Sequence, residues 1–232
     1  MAPPTPYWTQ PSHPSIQEVI LPSNPSEFTT KSLSKITVPP FGLYAKLEFP
    51  PCTKADKPTY ATVQMGKEEH LNLNSDLVYI NHSCDPSLTF DLSPTSFGIF
   101  AGPKGLKPGD ELTFFYPSTE WDMAQGFDCF CGAKTCRGFI SGAKNMSSEQ
   151  LEGLWLNPHI RALLSERDSS SSSTAGTSRT NSSNSPSPAT STSSSTSNLK
   201  ANGSAENEKN GEARRGVTSR ELSGEMGGDT TV

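Results

Sequence analysis

The stretch YINHSCDPS, Tyr79 to Ser87, sets an amide, an imidazole, a hydroxyl, a thiol and a carboxylate side by side at Asn81, His82, Ser83, Cys84 and Asp85. Three readings suit it: a reactive thiolate, a metal ligand, or a polar loop. Farther along, DCFCGAKTCRG carries Cys129, Cys131 and Cys136 in a C-x-C-x4-C pattern. Three thiolates this close make an incomplete zinc site, since structural zinc takes four ligands in a tetrahedron, with Zn–S near ~2.3 Å. The fourth must come from elsewhere, and Cys84, His82 and Cys52 are the candidates. Alone, Cys84 reads as a small buried hydrophobe. The downstream triplet changes that reading, because a zinc joining residue 84 to residues 129–136 would tie the later segment to the centre of the domain. Metal binding would then contribute to folding. Cys52, in FPPCTK, reads as a packed or surface thiol. A redox or thiol-transfer role ranks below these, since thiolate activation needs positive charge in a cleft and only Lys134 and Arg137 lie near the triplet.

Five cysteines, an odd number, and four histidines suit a reducing compartment, where cysteine clusters hold metals or do chemistry more often than they form disulfides. The start MAPPTPYWTQPSHPS has neither a basic n-region nor an apolar h-region, and no run approaches the roughly 20 apolar residues of a membrane span. The expectation is a protein of the nucleus or cytoplasm without membrane contact. A formal net charge of −5 with no basic block excludes a strong electrostatic footprint for nucleic acid.

The elements that must position these residues are short. With 232 residues, 32% hydrophobic content and 20 prolines, the chain has material for one domain plus tails. From Ile36 to about Ala143 the sequence runs through KITV, LYAKLEF, YATVQM, HLNL, LVYI, LTFDL, FGIFA and ELTFFY, separated by proline, glycine and asparagine turns. This pattern predicts a mostly β domain. Ile16, Val19, Ile20 and Leu21 suggest an edge strand before it. After it, SSEQLEGLWLNPHIRALLSERD predicts a short helical hairpin. Ser147 and Gln150 form a capping box, Leu151, Leu154 and Trp155 share a face, and Asn157 and Pro158 are N-cap and first residue of the second helix. The apolar face is expected to dock on the β core. From Asp168 onward large apolar side chains are almost absent, so residues 168–232 are expected to be disordered.

In order and spacing, NHSCDPS (81–87), GDELTFFY (109–116) and CFCGAKTCRG (129–138) resemble the SET-domain protein methyltransferases followed by their post-SET zinc module. The resemblance covers roughly residues 36–142. It implies a mostly β fold, the SET-domain β-clip with a knot-like C-terminal crossing. It divides the chain into an N-terminal extension (1–30), a SET domain (31–120), a post-SET zinc module (125–142), a short helical segment (146–167) and the tail. It implies S-adenosylmethionine bound by Asn81 and His82, the latter chiefly through its backbone, and zinc held by Cys84, Cys129, Cys131 and Cys136. Tyr116 would be the catalytic tyrosine and would also meet the cofactor. PPFGLYA (39–45) stands at the family's glycine motif, so Gly42 and Ala45 would contact the methionine part. The chain departs from the family at Pro40 in place of the first glycine, Val78 in place of arginine, Ser87 in place of asparagine and Phe115 in place of an acid.

The chemistry of these residues agrees with methyl transfer. A sulfonium donor is already activated, so the protein must align donor and acceptor and exclude water. A lysine amine, with an ordinary pKa near ~10.4, must lose its proton first, and an apolar channel promotes that loss. Phe114 and Phe115 would line the channel. By itself LTFFY would be read as a buried core strand. In the family, phenylalanine at the place of Phe114 tends to leave room for more than one methyl group, so di- or trimethylation is sterically possible. The expected function is a protein-lysine N-methyltransferase acting on a histone or another protein. The alternative is a catalytically weak or inactive zinc-containing interaction module, motivated by the departures and by little room for the family's variable insert.

Overall fold

Proline and glycine interrupt the chain so often that no strand among the described residues exceeds four residues, and the fold is a set of small sheets locked by loops. A computed structural model describes residues 6–22 and 30–174. The expected disordered tail, apart from its first residues, lies outside them.

The first pair is an antiparallel hairpin of β1 (Gln17–Ile20) and β2 (Lys31–Ser34). The edge strand expected near Ile16–Leu21 is therefore present, but its inward residue is Gln17, while Ile20 and Leu21 are exposed. The sequence pattern missed β2 for a related reason: its inward residues are Ser32 and Ser34. The Ser32 hydroxyl accepts from the Gln17 amide and donates to the Tyr79 carbonyl, so a polar strand is buried with its groups satisfied.

Next come β3 (Leu43–Lys46), β4 (Thr53–Ala55), β5 (Thr62–Gln64) and β6 (His70–Asn72), the last three forming a sheet in the order β4-β6-β5. KITV is not a strand; it contributes only a bridge from Val38 to Leu106. LVYI is not a strand either. It lies in the 3-10 turn Asp76–Tyr79, which the N-terminal segment holds. Trp8 and Gln10 donate to one Asp76 carboxylate oxygen at 2.8 and 2.7 Å, and the Ser12 amide donates to the other at 2.7 Å.

Beyond that turn lie β7 (Asn81–His82), β8 (Leu88–Asp91), β9 (Gly98–Ala101) and β10 (Thr113–Phe114). Strands β3, β9 and β8 form an antiparallel sheet, whereas β7 and β10 pair in parallel, Asn81 opposite Thr113 and His82 opposite Phe114. That parallel pair brings the NHSC stretch beside LTFFY. A 3-10 turn, Tyr116–Ser118, follows with Pro117 inside it, ending the strand. The chain closes with β11 (Phe127–Asp128), β12 (Phe139–Ile140), α1 (Ser148–Leu151) and α2 (Pro158–Thr174).

The capping box of α1 is present, Ser147 and Gln150 exchanging both hydrogen bonds. The shared apolar face is not: α1 ends after one turn before Gly153 at φ +73, leaving Leu154 half-buried and Trp155 exposed in the loop. Asn157 precedes α2, but its side chain does not cap it. It accepts from the Leu92 amide and donates to the Phe90 and Ser118 carbonyls, all at 2.8–2.9 Å. Helix α2 also runs past residue 168 to Thr174, where Ser169 and Ser170 donate to carbonyls four residues back.

Two apolar cores result. One surrounds Leu71, Ile80, Leu88, Phe90, Ile99 and Leu112; the other joins Phe115, Phe127, Ile140, Met146, Leu151 and Ile160. Tyr116 packs against both. Among the described residues no helix is long and apolar enough to cross a membrane.

Candidate active site and metal centre

Strand β7 ends at His82, and the chain turns so that Cys84 enters the second core, where Cys129, Cys131 and Cys136 meet it. All four sulfurs lie within 4.8 Å of one another, with Cys84 and Cys129 at 3.9 Å. Tetrahedral Zn–S bonds of about 2.3 Å place sulfurs about 3.8 Å apart, so the set fits one zinc. His82 and Cys52 are not members of this set. Cys52 is packed beneath β6, its sulfur 3.7 Å from the Leu73 carbonyl. The Arg137 amide donates to Cys84 sulfur at 3.4 Å, and its guanidinium reaches the Gln150 and Cys84 carbonyls, stitching the cluster to α1. The hydrogen bond shared by Cys84 and Cys129 holds the Cys84 thiol far down and pushes that of Cys129 up. Such a pair parts readily with its first proton, as a metal requires.

The His82 ring is buried between the two cores. Its Nδ1 accepts the Tyr116 backbone N–H at 3.2 Å, so in the neutral ring the proton sits on Nε2, 3.4 Å from Cys84 sulfur. Burial lowers the His82 pKa and keeps the ring neutral. Phe115, Tyr116 and Phe127 surround it at 5.2–5.6 Å between centroids. Both ring nitrogens are thus engaged within the protein. The Asn81 amide donates to the Thr30 carbonyl at 2.5 Å.

Because side chains alternate along an extended chain, Phe114 and Tyr116 face one way and Phe115 the other. Phe114 and Tyr116 line a narrow cleft of about 80 Å³ with Tyr60, Val63, Ile80, Glu120 and Phe127. The Tyr116 hydroxyl donates to the Ile80 carbonyl at 3.3 Å, and Phe114 stacks on Phe90 at 4.1 Å. Phe115 lines a separate cavity of about 620 Å³, with Phe41, Asp85, Asp91, Arg137 and Trp155 among its walls. The residues expected as one channel wall are thus divided between two spaces.

Gly42, Ala45, Asn81 and His82 line neither space. Gly42 sits in a tight turn, donating to the Pro39 carbonyl at 2.9 Å; a Cβ there would meet Val38 at 2.9 Å. Ala45 is buried opposite Ile99. Phe41, with φ +59 and 72% exposure, is the part of this motif that reaches a cavity.

Sequence reasoning passed over Glu120. Its carboxylate accepts from the Gln64 amide at 2.7 Å and the Thr119 hydroxyl at 3.1 Å, and burial pushes its pKa up to about 7 despite both bonds. The only signal was an acid four residues past Tyr116, in YPSTEW.

No protein-family model matches the chain. It is 46% identical over 160 residues to the methyltransferase flvH of Aspergillus flavus, spanning 69% of this chain and 87% of that one. It is 38% identical over 68 residues to the histone-lysine N-methyltransferase ASHH2 of Arabidopsis thaliana, and 35% over 78 residues to the histone-lysine N-methyltransferase Set2 of Drosophila melanogaster. Those matches span 28% and 32% of this chain but only 4% and 3% of the relatives. The solved structure of KRYPTONITE superposes with a TM-score of 0.39 at 19% identity, over 53% of this chain and 29% of that one, too distantly to bear on function. With the cysteine cluster, the parallel pairing of β7 with β10 and a relative matched over most of both chains, the protein belongs to the SET-domain protein methyltransferase family.

Proposed function

We propose that the protein is an S-adenosylmethionine-dependent protein-lysine N-methyltransferase, with transfer at the cleft lined by Phe114 and Tyr116. The carrying observation is that cleft: aromatic and aliphatic walls, a tyrosine hydroxyl and one carboxyl whose second oxygen has no partner among the described residues. Such walls suit a cationic acceptor that must be desolvated before it reacts. Asn81, His82 through its backbone, Gly42, Ala45 and Tyr116 would hold the donor, which supplies an activated sulfonium methyl. Tyr116 orients the amine, and Phe114, without a hydroxyl, leaves space for a second or third methyl group. Zinc held by Cys84, Cys129, Cys131 and Cys136 supports the wall through His82. A histone acceptor would place the reaction in the nucleus, another protein in nucleus or cytoplasm.

Mass spectrometry of a proteome extract incubated with the protein and isotopically labelled S-adenosylmethionine tests this. Labelled di- or trimethyl-lysine supports the reading, and label absent from every amine sinks it. The Asn81 amide, already spent on Thr30, favours one second reading, a zinc-containing interaction module. Calorimetry with S-adenosylmethionine separates the two, because the module would bind no donor while keeping its zinc.

A further inference from the structure

We infer that Glu120 is a catalytic residue that receives the acceptor's ammonium group and takes its proton before methyl transfer, an assignment that rests on the methyltransferase reading above.

The geometry points there. Glu120 follows the Tyr116–Ser118 turn, and its backbone N–H donates to the Tyr116 carbonyl at 3.0 Å, so the two residues are held as one unit. Its side chain lines the cleft that Phe114 and Tyr116 line. One oxygen, Oε1, is fixed by the Gln64 amide and the Thr119 hydroxyl. Gln64 also accepts the Trp121 amide at 2.7 Å, so Glu120 and the residue after it are both tied to β5. Oε2 has no partner among the described residues, and no lysine, arginine or histidine pairs with this carboxyl there. A half-buried acid is costly without a cation. Glu120 lines the cleft, and an ammonium ion is the ligand whose charge would offset the cost.

The other titratable groups nearby do not compete. Tyr60 and Tyr116 line the cleft beside it. His159 is bonded to the Thr119 carbonyl, and His70 sits opposite Gln64 on the neighbouring strand; burial lowers the pKa of both, so both are neutral. The Asp76 carboxylate, on the turn that supplies Leu77 and Val78 to the cleft, is turned toward Trp8, Gln10 and Ser12. Lys67 pairs with Glu166 at the surface.

The step balances. The ammonium passes one proton to the Glu120 carboxylate, giving a neutral amine and a neutral acid. The amine lone pair then forms the C–N bond as the donor's S–C bond breaks, its electrons remaining on sulfur as a neutral thioether, and the product carries the positive charge as a methylammonium. A carboxyl that titrates near neutrality suits this, because a general base works best when its pKa lies near the working pH.

The test compares kcat/KM against pH for wild type and Glu120→Gln, using a lysine-containing peptide pool and n-butylamine as acceptors. Gln keeps an oxygen for the Gln64 amide, and zinc content and melting check the fold. Wild type is expected to rise to a plateau just above pH 7. The variant is expected to lose about 10²–10⁴-fold at pH 7, the usual worth of a general base. Its rate should instead climb tenfold per pH unit toward the amine's own pKa near ~10.4. Glu120→Asp, which keeps the carboxylate, should restore the plateau at reduced rate. Parallel profiles for wild type and Glu120→Gln overturn the assignment while leaving the methyltransferase reading intact. A wild type that methylates no amine at any pH overturns both.

Discussion

The backbone N–H of Tyr116 donates to His82 Nδ1 at 3.2 Å, while the opposite nitrogen of the same ring lies 3.4 Å from the sulfur of Cys84. One neutral imidazole therefore connects a metal ligand to the start of the turn that presents a tyrosine to the cleft. Groups one step behind a metal ligand orient it and set its basicity. The His82→Ala variant leaves a buried N–H without its acceptor, which costs about 1–3 kcal/mol, and opens a cavity between the cores. It should also lower zinc affinity about 10–100-fold. Chelator competition and thermal melting together check this, and zinc affinity equal to wild type would sever the proposed link.

Removing Cys84 leaves three thiolates and no closed site. The Cys84→Ala variant should bind little zinc, lose more than about 4 kcal/mol of stability and expose its remaining cluster thiols to alkylation together. Elemental analysis and thiol labelling give the readout, with chelator-treated wild type expected to behave alike. Cys52→Ala, outside the cluster, should keep its zinc.

Tyr116→Phe removes only the hydroxyl that donates to Ile80, since the ring still packs between both cores. Stability should fall by about 0.5–1.5 kcal/mol. Methyl transfer should fall by about 10²-fold or more if the hydroxyl orients the amine. A labelled-donor assay beside a melting curve separates these effects; equal small losses in both would make the tyrosine structural.

Asp76 binds the N-terminal segment through three donors. Burial alone would raise its pKa, but the bonds from Trp8, Gln10 and Ser12 outweigh that and hold the carboxyl below its ordinary value near 3.8. A depressed acid contributes stability above its unfolded pKa and loses it as pH falls through the folded value. Acid titration should therefore release Trp8, read as a shift in its fluorescence below about pH 4. Asp76→Asn places an amide against the Ser12 N–H and should free Trp8 already at neutral pH.

Glu120 carries the opposite sign. Its folded pKa of about 7 lies above the ordinary 4.5, so its contribution is full below the unfolded value and is lost as pH rises through 7. By the same shift Glu120→Gln should be more stable than wild type at pH 8, by at most about 3 kcal/mol, and nearly equal to it at pH 5. Melting curves at the two pH values decide it. A variant no more stable at pH 8 would mean the carboxyl is not desolvated.

Much of this protein could be read from its residues in order. Cysteines at spacing C-x-C-x4-C demand a fourth ligand because metal chemistry restricts donor number; the residues alone left Cys84, His82 and Cys52 open, the family resemblance pointed to Cys84, and the structure brings Cys84 to the triplet. Short apolar runs between proline and glycine turns implied a mostly β domain, since a strand's two faces leave a period in the sequence. That signal failed where burial is polar or anchorage is distant. Strand β2 buries serines, LVYI became a turn because Asp76 is bound from residues 8–12, and Asn157 gave up capping to bind carbonyls on two other elements. Only tertiary structure decided that Phe115 faces a different space from Phe114 and Tyr116. Only it brought Glu120 into their cleft and set His82 between sulfur and tyrosine. Those relationships depend on which groups lose water together, and that is settled by packing between segments 30 to 60 residues apart, where a linear pattern has no reach.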